Sequence, residues 1–483
     1  MPDLSAILLH FSPELILVIG ALAILVFDLA LRGREARQAW LAVLTLVLAL
    51  AATFYLYSQP PATIFEARGA GGEVVRAGAF ASDYFTQFFR VVSLLTTLLV
   101  LLSSITYLRP RSPFRGEFYT LLLLAATAMN LMAGANDLIM VALAVEFLSI
   151  TSYILTGFLR GDRLSGEAGL KYFLYGSITS AAMLYGLVLI YGATGTTSLP
   201  AVAAVVSSPR EILVSRMDSL LLPALMLVLA GLGFKIALVP FHQWSPDAYH
   251  GAPTPVTSFL SIGPKAAGFA LLTRFLMTVF ATPPFPATWI GTLTAMAILT
   301  MIVGNLVALS QRNVKRMMAY SSISQAGYML VGVVSVGVAS AAMRQAALGS
   351  LLIFILAYLF TNAGAFAAII AVDHASGSSD LDAYKGLMHR SPLLAISLVV
   401  FFLSLIGIPP MAGFIGKFSV FKAALAADQV VLAIVGVLTG VISVAYYLGV
   451  VRRMFFAPAD KNLTPIAPSG SLTFVLVACL VMT

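Results

Sequence analysis

Charge is scarce in this sequence: Asp, Glu, Lys and Arg make up 10% of its 483 residues, against roughly a quarter of an ordinary soluble domain. Hydrophobic residues make up 60%, and the mean hydropathy is +0.97. Such a chain reads as a polytopic membrane protein. Cysteine is nearly absent too, and the single Cys479 excludes a thiolate-held iron–sulfur cluster and an internal disulfide. No GxGxxG follows a strand pattern and no GxxxxGK[ST] occurs, which removes the usual nucleotide sites. Met1 to Phe11 carries no Lys or Arg, so there is no basic n-region of a cleaved signal peptide and the first apolar run reads as retained. The net charge of +8 would suggest nucleic acid in a soluble protein. Here the basic residues fall in short connections between apolar runs, where they orient spans.

What is present is long apolar sequence. Hydrocarbon offers backbone groups no water, and a spanning helix needs about 20 mostly apolar residues. Fourteen continuous, non-alternating segments meet or approach that length: about 6–31, 38–57, 84–107, 117–134, 138–159, 168–192, 219–239, 254–281, 286–308, 317–339, 346–373, 392–424, 428–451 and 471–483. The expectation is an all-α polytopic membrane protein of about 14 transmembrane helices. The last segment is too short to cross alone and reads as a helix cut off at Thr483.

Connections after odd-numbered segments hold Arg32, Arg34, Arg37, Arg109, Arg111, Arg115, Arg160, Arg163, Arg312, Lys315, Arg316, Lys385, Arg390, Arg452, Arg453 and Lys461. The even ones hold chiefly Arg68, Arg76, Arg210, Arg216 and Arg344, partly offset by Glu66, Glu73, Glu211 and Asp218. The bias places odd connections in the cytoplasm and the N-terminus outside. The loop after segment seven, which has no Lys or Arg, is the exception.

Segments seven and twelve resemble each other. Each sets small residues just before a lysine, as Gly231, Gly233, Phe234, Lys235 and as Gly413, Phe414, Ile415, Gly416, Lys417, and each is interrupted, by Pro240 or by Gly407, Pro409 and Pro410. Broken helices at corresponding places in two halves mark ion sites in transporter folds. This predicts two inverted five-helix repeats, helices 4–8 and 9–13. The divisions are 1–110 as an N-terminal three-helix segment, 111–283 and 284–455 as the repeats, and 456–483 as the final helix.

Five ionisable residues lie within apolar segments: Glu146, Lys171, Lys235, Lys265 and Lys417. Such groups are costly in a bilayer and tend to face the bundle interior and serve transport. Glu146 has no other charge between Asp137 and Arg160, and its candidate partners are Lys171 and Lys235. A structural ion pair is the plain alternative. Burial disfavours the charged form and pairing restores it, so a Glu/Lys pair that opens and closes can load and release a proton. For the lysines the alternative is snorkelling to an interface. Lys171, near the start of its segment, suits that best. Arg274, Lys422, Asp28 and Asp373 lie near segment ends, where snorkelling is the default.

His242 and His250 flank Trp244 and Asp247, a poor metal spacing that reads better as closure of a proton path. Tyr320, Ser321, Ser322, Ser324, Gln325 and Tyr328 give segment ten a polar face, suited either to a hydrogen-bonded water chain or to helix packing. Of these, His242, Tyr320, Ser322 and Gln325 are the candidate supporting residues.

Four stretches in order, VEFLSITSYILTGFLRGDRLSGEAGLKYFLYGSITSAAMLYGLVLIYGATG, GLGFKIALVPFHQWSPDAYHGAPTPV, KRMMAYSSISQAGYML and LIGIPPMAGFIGKF, resemble subunit N, an antiporter-like membrane subunit of proton-pumping NADH:quinone oxidoreductase (respiratory complex I). The resemblance runs from about Phe85 to Arg453. It implies Glu146 and Lys235 as a proton-loading pair, Lys171 and Lys265 as intermediate relays, and Lys417 toward the exit. It also implies other membrane-arm subunits as partners, NADH, FMN, iron–sulfur clusters and quinone in partner subunits with none in this chain, and a bacterial inner membrane. A lysine at 417 fits subunits N and L, whereas subunit M resembles the same pattern with glutamate; subunit L's long lateral extension has no room here. The same fold resembles cation/proton antiporter subunits, the alternative reading, and a third is a non-pumping assembly scaffold.

Overall fold

A computed structural model describes residues 4–30, 35–68, 74–207, 214–457 and 465–483. The apolar runs become helices because only a helix satisfies every backbone group within its own segment. In order they are α1 (Leu4–His10), α2 (Ser12–Ala30), α3 (Glu35–Leu56), α4 (Tyr84–Leu108), α5 (Arg115–Gly134), α6 (Leu138–Thr156), α7 (Arg163–Thr194), α8 (Leu199–Val206), α9 (Val214–Lys235) and α10 (Trp244–Gly251). There follow α11 (Thr254–Val279), α12 (Phe285–Ala308), α13 (Val314–Val338), α14 (Ala341–Ser376), α15 (Leu387–Arg390), α16 (Pro392–Ile406), α17 (Ala412–Ala426), α18 (Val430–Phe456) and α19 (Gly470–Met482). Polar residues at the boundaries start several of them: Asp83, Asp137, Asp162 and Asn313 accept backbone N–H bonds at the first turns of α4, α6, α7 and α13.

Among the described residues, eleven helices are long and apolar enough to cross a membrane. Leu220–Lys235, Pro392–Ile406 and Gly470–Met482 are shorter apolar helices. The chain is a multi-pass membrane protein. Segment seven stops as a helix at Lys235 and resumes as α10, and segment twelve is divided into α16 and α17, so both expected breaks are present. Three features were not foreseen. The first segment is two helices meeting at Phe11, and α8 lies between segments six and seven. The connection after α3 holds short strands β1 (Ala62–Ile64), β2 (Ala67–Arg68), β3 (Val74–Arg76) and β4 (Phe80–Ser82). β1 pairs antiparallel with β4, Ile64 opposite Phe80, and β2 with β3. The buried Phe80 closes this small sheet onto Ala135 at the end of α5.

The ends of the helices sort as the alternating connections require. Arg111, Asp162, Lys315, Asp373 and Asp380 line one polar cavity of about 300 Å³, so the connections after α4, α6, α12 and α14 meet at one end, the basic one. At the other end Asp83, before α4, receives two bonds from Arg274, near the end of α11. Of the connection charges named above, Arg32, Arg34, Glu73, Arg210, Glu211 and Lys461 lie outside the described residues, as do the side chains of Arg68, Arg76, Arg216 and Asp218.

Helices α11, α13 and α14 pack on one another at the centre. The spanning stretch of α11 is 100% buried, while that of α7 is 28% buried and those of α2, α3, α12 and α18 at most 39%. Lipid is as apolar as leucine, so this centre is held by close packing and polar bonds more than by apolar burial. One such set ties the N-terminal helices down. Arg90 on α4 and Glu14 on α2, both fully buried, form a bidentate pair at 2.7 and 2.9 Å, and Arg90 also donates to His10 O and Gln87 Oε1. Ser93, one turn on, bonds Asn130 of α5.

Three of the four charges expected to snorkel do not. Arg274 grips Asp83, Thr86 and Ala133 O beside the Phe85 ring; Asp373 is buried and accepts from Thr254 at 2.5 Å; Asp28 accepts from Gln38. Each has a polar partner from another part of the chain, a nearer substitute for interfacial water. Lys422 alone is exposed.

Candidate functional site: a buried row of lysines

Glu146 sits on α6 with Ser149 one turn later on the same face. It is half-buried, and its Oε1 is buried without a hydrogen-bond partner. Lys235, the last residue of α9, is 1% exposed and donates to Ser149 Oγ at 3.1 Å. Glu146 lies close enough to act on Lys235 electrostatically. Ser149 therefore stands where the two expected partners meet, and the ion pair itself is open in this structure. Sequence reasoning missed Ser149, although its spacing from Glu146 marks it.

Just past Lys235 the helix unwinds. Ala237 takes φ 59°, the left-handed region where a Cβ costs about 1–2 kcal/mol, and Val239 N–H donates to Thr300 Oγ1 on α12 at 3.0 Å. Trp244 holds the break in place: its indole stacks on Tyr172 at 4.1 Å and its N–H donates to Phe234 O at 2.9 Å. The Lys235 stem passes beside Gly268, one turn beyond Lys265, and a Cβ there would meet Ile236 Cγ2 at 2.4 Å. That close approach admits only glycine without a shift.

Lys265, on α11, is 2% exposed and donates to Ser322 Oγ of α13 at 2.7 Å. Ser322 also accepts from Tyr358 Oη of α14 at 3.0 Å and lies 3.3 Å from Tyr249 Oη. A hydroxyl has two lone pairs and one hydrogen. Two bonds accepted and one given to Tyr249 would saturate Ser322, making it the meeting point of α10, α11, α13 and α14. Gln325, one turn along α13, donates to Leu405 O at 3.0 Å. Lys417 Nζ donates to the same carbonyl at 2.7 Å and to Ile406 O at 3.1 Å. Leu405 and Ile406 end α16, where carbonyls lack helical partners, so the broken helix offers a cradle for a cation. Gly407 turns the chain there at φ 94°, and a Cβ on it would come within 3.0 Å of Lys417 Cδ.

Lys171 stands apart. It is 41% exposed and pairs with Glu167 at 2.8 Å and Asp247 at 2.9 Å, and Asp247 also takes Arg316 at 2.7 Å. Of the two candidate partners for Glu146, Lys171 is therefore engaged elsewhere, because α10 brings Asp247 to it at the start of α7. This charged triad ties α7, α10 and α13 together near the basic end. His242 is half-buried within electrostatic reach of Lys265, while His250 faces the polar cavity with Asp162 and Lys315. Tyr320 packs as a partly buried ring on the apolar core, away from the row. Among the described residues, no group of three or more His, Cys, Asp or Glu could hold a metal ion.

A family model described as NADH:quinone oxidoreductase/Mrp antiporter, TM, matches residues 135–443, which include all five buried-segment charges. A protein of Desulfitobacterium hafniense called NADH-quinone oxidoreductase subunit N is 40% identical, the alignment covering 86% of this chain and 84% of that one. The chain belongs to the NADH-quinone oxidoreductase subunit N family. Another member, called NAD(P)H-quinone oxidoreductase subunit 2, from Thermosynechococcus vestitus, is 44% identical over 92% of this chain and 81% of its own. A chain in the structure of respiratory complex I from Thermus thermophilus with bound aureothin superposes with a TM-score of 0.78 at 34% identity, covering 97% of this chain and 96% of that chain. Membership makes this chain a membrane-arm subunit of an oxidoreductase complex, built to work among other antiporter-like subunits.

Proposed function

We propose that protons cross this subunit along the row Glu146, Ser149, Lys235, Lys265, Ser322, Gln325 and Lys417, driven by quinone reduction elsewhere in the complex. The observation that carries this reading is the pair of adjacent bonded groups on α13: Ser322 holds Lys265, and one turn away Gln325 shares Leu405 O with Lys417. Lys265 thus ends on α13, and Lys417 ends on a carbonyl of α16 that α13 also grips one turn away. A change of charge beside Glu146 favours or disfavours the ammonium of Lys235. Displaced protons move through water to Lys265 and on toward Lys417. Lys171, held by two carboxylates and partly exposed, serves at the mouth rather than in the interior.

On this reading the basic end faces the cytoplasm of a bacterial inner membrane and the N-terminus lies outside. Residues 111–283 and 284–455 act as inverted repeats whose broken helices each present a lysine, with 1–110 as an N-terminal segment and 456–483 as the final helix. NADH, FMN, iron–sulfur clusters and quinone belong to partner subunits. The antiporter reading loses ground because full-length relatives at 40–44% identity are called quinone oxidoreductase subunits.

Glu146→Gln separates a conducting subunit from a scaffold. It keeps size and hydrogen bonding but cannot ionise, so the protons taken up per NADH by reconstituted complex should fall by this subunit's share at unchanged assembly. Full uptake would leave Glu146 a packing residue and support the scaffold.

A further inference from the structure

The cradle of Lys417 contains no acid. Among the described residues no carboxylate lies within 4.0 Å of its ammonium, which is nevertheless only 6% exposed. What faces it besides two carbonyls is an aromatic ring: Nζ stands 4.4 Å from the centroid of Tyr328. That ring is fixed on several sides. Its hydroxyl donates to Thr439 Oγ1 at 3.2 Å and accepts from Asn305 Nδ2 at 3.0 Å; Asn305 Oδ1 in turn accepts from Tyr446 at 3.2 Å. Phe421 meets the ring edge-on at 6.1 Å. Tyr328, Asn305 and Thr439 are all buried.

We propose that the face of Tyr328, beside the two carbonyls, stabilises Lys417 in its protonated form and so sets the pH range over which the second half of the chain conducts. The inference rests on Lys417 being a proton carrier.

A ring suits this task better than a carboxylate. Its negative face attracts a cation, and more so where water is excluded, yet it takes no proton and forms no buried ion pair that would trap the charge. Other candidates on the neighbouring helices are already engaged or remote. Helices α13, α14, α16 and α18 pack against α17. On α14, Tyr358 is bonded to Ser322; on α18, Tyr447 is bonded to Ser321 and Tyr446 to Asn305. Helix α16 has no titratable side chain. The charged groups of these helices lie at their ends: Lys315 and Arg316 on α13, Arg344, Asp373 and His374 on α14, Arg452 and Arg453 on α18. Lys422, on α17 itself, is exposed. The hydroxyl of Tyr328 is dispensable to its neighbours, since Asn305 Nδ2 also bonds Met301 O and Thr439 Oγ1 also bonds Val435 O.

The test is the pH profile of NADH-driven proton uptake by reconstituted complex carrying Tyr328→Phe, Tyr328→pentafluorophenylalanine or Tyr328→Leu, beside Lys417→Ala. Phenylalanine keeps the ring face and should keep the midpoint. The fluorinated ring keeps the shape but reverses the charge of the face. It should move the alkaline limb to lower pH by about 1 to 1.5 units, roughly a ten- to thirtyfold loss of proton affinity. Leucine should do likewise if the variant assembles. An unshifted fluorinated variant, alongside Lys417→Ala that takes up fewer protons per NADH, would overturn the inference and spare the relay. Lys417→Ala with full pumping would instead remove the relay itself.

Discussion

Lys235→Ala is expected to lower proton flow through this subunit by at least about tenfold, read as a loss of this subunit's share of the protons taken up per NADH, because a positioned proton carrier commonly contributes two or more orders of magnitude. Lys235 ends α9, is 1% exposed and has Ser149 as its hydrogen-bond partner. Alanine removes the amine that Ser149 holds beside Glu146 and so breaks the step from Glu146 toward Lys265. Lys235→Arg makes the argument sharper. Arginine restores the charge but does not release its proton in a protein, so it should rescue assembly and fail to rescue pumping. Native-gel assembly and NADH oxidation with an artificial acceptor, measured beside proton uptake in proteoliposomes, separate a damaged path from a damaged complex.

Glu14→Leu should destabilise the subunit by about 3–5 kcal/mol, since it leaves Arg90 charged and unmatched where neither side chain is exposed. The double variant Glu14→Leu/Arg90→Met removes both charges and should recover most of that loss, because apolar replacement of a whole buried pair is often neutral. Thermal unfolding of detergent-solubilised complex, or the yield of assembled complex, measures both. If the double variant were as unstable as the single one, the pair would act through the wider set of His10 O, Gln87 and Ser82 rather than by mutual neutralisation. The same comparison shows whether the N-terminal helices are locked to α4 by this contact.

Much of the frame was legible because the bilayer limits what a chain can do. Continuous apolar runs had to be helices, and the breaks fall at Pro240 and at the Gly407, Pro409, Pro410 cluster, while Pro223 and Pro264 are carried inside α9 and α11. The short strands around Phe80 and the junction at Phe11 escaped notice, since a few residues of local pattern cannot compete with twenty of apolar sequence. Among the site residues, Glu146, Lys235, Lys265 and Lys417 stood out because an isolated charge in apolar sequence is expensive. Lys171, near the start of its segment, read as the lysine best suited to snorkelling, and its side chain is 41% exposed. Its place was decided by Asp247, 76 residues away, and by Arg316 beyond it, contacts that only the fold supplies. Leu405 O and Ile406 O could not have been read at all, because a backbone carbonyl has no letter of its own. The break that exposes them at Gly407 could, and it was. Ser322 and Gln325 were visible as polar residues one turn apart, but their partners Tyr358 and Leu405 come from later helices.

On the proposed reading the charged row is the path of the protons and not a set of structural contacts. The most direct measurement is the number of protons translocated per NADH oxidised by reconstituted complex with and without Lys417→Ala, at matched NADH oxidation rates. The row predicts fewer protons per NADH in the variant, because one subunit's path is blocked while redox chemistry continues elsewhere. An unchanged ratio at an unchanged rate would contradict it.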